Sequence, residues 1–94
     1  MRREETRRGA IGIIETRGYV AAFAAADAAL KAAAVGIECW KKIGGGMVSV
    51  TVGGEVAAVK AAVAAGCDAA QPVAEVLATL IVPRPHESVY ISMP

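Results

Sequence analysis

Few residues in this chain of 94 could carry covalent or metal chemistry. The one histidine, His86, closes the segment Pro83-Arg84-Pro85-His86, the cysteines Cys39 and Cys67 are far apart and form no C-x-x-C, and no carboxylate pair has a distinctive spacing. A nucleophile needs a base within reach and a metal needs clustered ligands, so no enzyme, no metal site and no cofactor is expected. Both cysteines are expected to be small core residues in a reducing compartment. The segment that stands out is Lys41-Lys42-Ile43-Gly44-Gly45-Gly46, two lysines and then three consecutive glycines. A glycine-rich phosphate cradle requires a following Lys-Ser/Thr and a helix whose N-terminus faces the anion. Here a strand pattern follows, so the cradle is excluded and a hairpin turn or a close-approach surface remains.

The elements around this segment follow from periodicity. Residues 10 to 15 read as a short buried strand. Gly18 opens an alanine-rich, proline-free tract that predicts a helix, with Gly36 as its C-cap candidate. Residues 37 to 43 alternate loosely, with Ile37, Cys39 and Ile43 on one side and Glu38, Trp40 and Lys42 on the other. Residues 47 to 52 alternate cleanly, with Val48, Val50 and Val52 opposite Met47, Ser49 and Thr51. After Gly53-Gly54, Glu55 suits a helix start. Val56, Val59 and Val63 then mark a second alanine-rich helix that Gln71-Pro72 ends. Residues 76 to 82 are apolar on both faces and form the last strand, which Pro83 and Pro85 stop; the tail from Glu87 is expected to add little. The order β-α-β-β-α-β predicts an α+β sandwich of ferredoxin-like type, an antiparallel sheet with both helices on one face.

Composition narrows the partners. The chain is 55% hydrophobic but 4% aromatic, and alanine makes up roughly a fifth of it, so most of the apolar content is small and suited to close packing. Formal net charge is +1, with basic residues clustered only in residues 1–8, a mixed-charge arm expected to precede a single domain at 9–94. Nucleic acid is therefore not an expected partner, and Met47-Val48-Ser49-Val50-Thr51-Val52 offers no aromatic platform for bases. A membrane span is not expected either, because Asp27 and Lys31 interrupt the longest apolar tract and each costs about 2.5 to 3.5 kcal/mol at a bilayer centre. A soluble cytosolic protein follows. Residues 19 to 34 carry only that i, i+4 pair as charge, and the second helix offers only Glu55, Lys60 and Asp68. Helices so bare of solvating charge predict an obligate assembly.

In combination, the motifs resemble those of the single-domain, hexamer-forming shell proteins of bacterial microcompartments, the BMC-domain type. The resemblance runs from about Gly9 to His86. It is carried by Ile14-Glu15-Thr16-Arg17-Gly18, the A-D-A-x-x-K-A pattern at residues 26 to 32, K-I-G-x-G at residues 42 to 46, G-x-V-x-A-V-K-A-A at residues 54 to 62, and P-R-P-H at residues 83 to 86. It implies a homohexameric tile that packs edge to edge with other shell proteins around cytosolic enzymes in the bacterial cytoplasm. A pore on the sixfold axis would pass small polar metabolites, and targeting peptides of the enclosed enzymes are an implied partner.

That resemblance also assigns residues. Lys42, Ile43, Gly44, Gly45 and Gly46 would line the pore. Lys31 and Arg84, with Asp27 and His86 beside them, would meet the neighbouring hexamer at the tile edge. Where many relatives carry a pore-loop serine this chain has Gly45; Ala34 stands where an asparagine often follows the edge lysine; Gly53 stands where a basic residue often precedes the second helix. The long final helix of many relatives is absent from the sequence pattern. Without the resemblance, a ferredoxin-like regulatory module binding a small metabolite between subunits would fit the same elements, and Lys31 would read as an ordinary partner of Asp27.

Overall fold

The computed structural model describes residues 9–92. Its elements in chain order are β1 (Ala10–Arg17), α1 (Tyr19–Ala32), β2 (Gly36–Gly44), β3 (Met47–Gly54), α2 (Val56–Ala70), β4 (Val76–Val82) and α3 (Glu87–Ser92). The four strands form one sheet in the order β2-β3-β1-β4, and every neighbouring pair is antiparallel. Helices α1 and α2 pack against each other and cover one face, the two-layer arrangement that the element order predicts.

Small side chains let these layers approach. Ala21, Ala25, Ala26 and Ala29 of α1 are buried in one cluster with Val59, Ala62 and Val63 of α2 and with Ala10, Ile14, Val50 and Val52 of the sheet. Gly66 marks one close approach: a Cβ there would stand 2.8 Å from Ile14 Cδ1 and 2.9 Å from the Ala25 carbonyl oxygen. In β3 Val48, Val50 and Val52 are in the core as predicted, but Thr51 on the other side is buried too, so the burial alternates only as far as Val50.

Four local expectations change. Helix α1 ends at Ala33, whose backbone is extended at φ −156°, so Gly36 is no C-cap; it begins β2, paired with Gly53. Ladder pairing to β3 draws these residues straight before a left-handed cap can form. A bulge between Ile37 and Cys39 pairs Ile37 with Val52 and Cys39 with Thr51. Those two partners point to opposite faces of β3, so Ile37 and Cys39 do not share a side. Neither cysteine is in the core: both are free and half-buried.

The fourth change is in the tail, which does add an element. In α3, Tyr90 is only 9% exposed and its hydroxyl donates to the backbone carbonyl of Gly9, tying the end of the domain to the start of β1. Burial first, and the nearby Glu38 carboxylate second, push its phenol pKa above 10.0. The arm at residues 1–8 lies outside the described residues.

Candidate functional site

The β2–β3 hairpin builds the site from backbone. Gly44, Gly45 and Gly46 have φ of 93°, 61° and 79°, a run that no sequence of larger L-residues holds without strain. Two positive-φ central residues give the hairpin the twist of its strands, and the register shift between Lys42 and Gly44 adds a bulge just before them. An added Cβ would meet nothing within 4 Å at Gly44 or Gly46, and only Met47 Cε, at 3.9 Å, at Gly45. The tip is therefore an exposed backbone rim whose glycines are required by conformation and not by crowding.

Behind the rim, β2 and α1 are joined by aromatic rings. Trp40 lies 4.9 Å from Phe23 and stacks on Tyr19 at 6.1 Å and 13° between planes. Lys42 Nζ sits 5.3 Å from the centroid of Tyr19, a cation–π contact that holds the lysine on the helix side of the strand. A pocket of about 330 Å³ opens beside it, lined by Gly18, Tyr19, Lys42, Gly44, Gly46, Met47 and Val48. The five residues assigned to a pore are thus together and exposed at one end of the sheet.

The four residues assigned to an edge fall into two groups. Lys31 Nζ lies 2.9 Å from Asp27 Oδ2, with both side chains more than half exposed, so within one chain the ordinary i, i+4 pair does form. Arg84 is exposed, at a bend in the link between β4 and α3. His86 caps α3: its Nδ1 accepts from the Ser88 N–H at 3.1 Å, and its carbonyl accepts from the Val89 N–H at 2.9 Å. Among the described residues, no hydrogen bond or ion pair links Lys31 or Asp27 with Arg84 or His86.

Sequence reasoning missed the aromatic cluster and the Tyr90 clasp. The first had a faint signal, in that three of the four aromatics fall in α1 and β2, the two successive elements before the glycine turn. The second had none, because Tyr90 meets Gly9 across nearly the full length of the chain. Large apolar groups are left outside: Val20 is 72% exposed, Phe23 63% and Leu80 55%, on α1 and on edge strand β4. Among the described residues no three His, Cys, Asp or Glu side chains cluster as metal ligands, and no helix is long and apolar enough to cross a membrane.

Comparison with known proteins gives this arrangement a family. A model described as the BMC domain matches residues 10–85. The carboxysome shell protein CcmK2 of Thermosynechococcus vestitus is 51% identical over 87 residues, covering 90% of this chain and 85% of that protein. The bacterial microcompartment shell protein PduA of Citrobacter freundii is 49% identical over 85 residues, covering 90% and 91%. EutM of Salmonella typhimurium, another bacterial microcompartment shell protein, is 51% identical over 77 residues, covering 82% and 80%. Among solved structures, a microcompartment protein from Desulfitobacterium hafniense DCB superposes with a TM-score of 0.78 at 33% identity. That match covers 92% of this chain and 49% of the other, so this chain spans about half of that one. Matched along nearly its whole length and carrying the same two-layer fold, the chain belongs to the BMC-domain family of bacterial microcompartment shell proteins.

Proposed function

We propose that this chain is a structural tile of a microcompartment shell in the bacterial cytoplasm, a homohexamer whose β2–β3 hairpins rim a central pore. Lys42, Ile43, Gly44, Gly45 and Gly46 line that pore. With Gly45 in place of a hydroxyl-bearing residue, the lining is backbone amides and carbonyls, which favour small polar solutes. At the perimeter Lys31 leaves Asp27 and lays its methylenes on the small-residue surface of the adjoining tile. Arg84 offers a planar fork of donors across the same edge, beside His86. Residues 1–8 form a charged arm ahead of the tile domain at 9–94, and targeting peptides of enclosed enzymes dock on the assembled shell.

The observation that carries this reading is the outward placement of large apolar side chains, Val20 and Phe23 on α1 and Leu80 on β4. They lie on separate elements, so a single dimer contact does not cover them all, whereas a tile has a neighbour on each flank. Electron microscopy of the purified protein tests it. Six-lobed rings, hexagonal sheets or tubes are expected; a monodisperse monomer at high concentration, or an oligomer that binds a stoichiometric metabolite and never tiles, overturns it.

A further inference from the structure

Strands β2 and β4 are the two edges of the sheet, and they carry unlike chemistry on the face that α1 and α2 leave uncovered. Trp40 and Lys42 point to the helix side: Trp40 packs on Phe23, Lys42 stands over Tyr19, and their cross-strand partners Val50 and Val48 are in the core. Strand alternation then sends Lys41 to the uncovered face. In β1, Ile14 is in the core, so Ile13 and Glu15 face away from the helices as well. One complete row crosses the sheet there: Lys41 opposite Ser49, Ser49 opposite Glu15, and Glu15 opposite Ala78. At the β4 end of this row lies a groove of about 220 Å³ lined by Ile13, Glu15, Ala78, Thr79 and Leu80, largely apolar and with one carboxylate. At the β2 end stands an exposed lysine. Among the described residues neither Lys41 nor Glu15 is in an ion pair. Within the chain they are two strands apart, about 10 Å at ordinary strand spacing.

We infer that Lys41 of one copy seats in this groove of the next copy, its methylenes on Ile13 and Leu80 and its ammonium on Glu15. The inference rests on the reading that six copies surround an axis at the β2–β3 hairpin. Rotation about an axis keeps every residue at its own distance from it, so the β2 edge of one copy meets residues of the same radius on its neighbour's β4 edge. Lys41, Glu15 and Ala78 belong to one cross-strand row and so stand at nearly one distance from the hairpin end. The groove offers what a lysine side chain can use, an apolar wall for the stem and a carboxylate for the head. Lys42 is held on the other face by Tyr19 and does not compete for it. The pair also fixes which way up the copies stand. A head-to-tail contact joins unlike edges, whereas a copy turned over would set β2 against β2 and Lys41 against Lys41, where like charges repel. Lys41 and Glu15 therefore favour a ring whose copies all face one way over a two-fold dimer.

Carbodiimide coupling tests the contact without any substitution, because it joins an amine to a touching carboxylate as an amide with loss of water. Wild-type rings assembled from a mixture of isotope-labelled and unlabelled chains are coupled, digested and read by mass spectrometry. Linked Lys41–Glu15 peptides with one labelled and one unlabelled half are expected, since a link within one chain carries a single label state. Charge reversal supplies the second readout. Lys41→Glu and Glu15→Lys, each alone, should raise the concentration at which half the chains are hexameric by about tenfold or more. The double reversal should restore it to within about threefold of the wild type, with circular dichroism confirming that all three variants are folded. A Lys41–Glu15 link absent or confined to chains of one label state, or a double reversal that assembles no better than the singles, overturns the inference and leaves the shell reading intact. Absence of six-membered rings in native mass spectrometry of the wild type overturns the shell reading, and this inference with it.

Discussion

Replacing Gly45 by asparagine and, in parallel, by valine separates conformational demand from crowding at the hairpin tip. A new Cβ at this position would find only Met47 Cε at 3.9 Å, an ordinary contact, so neither side chain clashes with its surroundings. What remains is the backbone, held at φ 61°. The left-handed region costs an ordinary L-residue about 1–2 kcal/mol, and a β-branched residue sits at or beyond the upper end, whereas asparagine visits it readily. In a domain of this size about 1 kcal/mol moves the thermal midpoint by roughly 4–8 °C. Gly45→Val should therefore lower the midpoint by about 8 °C or more, and Gly45→Asn by less than half of that.

Far-ultraviolet circular dichroism at one fixed protein concentration measures both, the concentration being held because assembly couples to unfolding. Equal midpoints for the two variants would refute the conformational account, since only the backbone preference distinguishes them. The same proteins examined by electron microscopy address the pore: tiling should persist in Gly45→Asn, because the tip makes no packing contact within the fold that assembly could need. Loss of sheets at wild-type stability would place the tip in a contact and remove it from an open rim.

Other perturbations follow from the same geometry. Lys31→Ala removes an exposed i, i+4 pair and should change unfolding free energy by no more than about 0.5 kcal/mol, yet abolish extended sheets; sheets unchanged in electron micrographs would end its edge role. Gly66→Ala drives a methyl group into Ile14 and the Ala25 carbonyl and should destabilise by about 1–3 kcal/mol in urea titration, with a wild-type midpoint as the refuting result. Tyr90→Phe should cost about 0.5–1.5 kcal/mol by removing the bond to Gly9. Because the folded-state pKa of Tyr90 is raised above 10.0, its stabilisation is complete below that value and is lost as pH rises through the folded pKa. The wild type should thus lose its advantage over Tyr90→Phe above about pH 10, and an advantage that grew there would contradict the burial of the phenol.

Where the chain's order could be read from sequence, a local period carried it. Val48, Val50 and Val52 on one side of a strand, an uninterrupted alanine tract, and prolines at residues 83 and 85 each act within a few neighbours, so the β-α-β-β-α-β order and the sheet with helices on one face were legible. What failed depends on pairing between distant segments. Gly36 looks like a helix cap until Gly53 draws it into a ladder. Ile37 and Cys39 look co-facial until the bulge inserts Glu38 between them. The tail looks too short to matter until Tyr90 reaches Gly9. For the hairpin, the glycine run pointed to a turn, and its three positive φ angles are that turn's local consequence. Lys42 is assigned to a pore only through family motifs, and its seat on Tyr19 was not legible at all, because it needs α1 and β2 brought side by side.

The distribution of side-chain size within this fold bears on why it should tile. The interior is made largely of alanine and valine, with Ala21, Ala22, Ala25, Ala29 and Ala62 all fully buried, while Phe23, Leu80 and Val20 are more than half exposed. A monomer gains the smaller part of the available hydrophobic stabilisation from such an arrangement, since full burial of one large apolar side chain is worth about 1.5–3 kcal/mol. Moving these residues inward would thicken the plate and separate the helices from the sheet, whose approach at Gly66 leaves no room for a methyl group. On the proposed reading, the thin plate keeps its large apolar groups for neighbours. On this account Phe23→Ala should cost the isolated chain only the worth of its ring contact with Trp40, about 0.5–1.5 kcal/mol, but weaken the hexamer, lowering its fraction in native mass spectra at limiting concentration. A variant that unfolded more easily while assembling as before would show that Phe23 serves the fold through Trp40 and not the assembly.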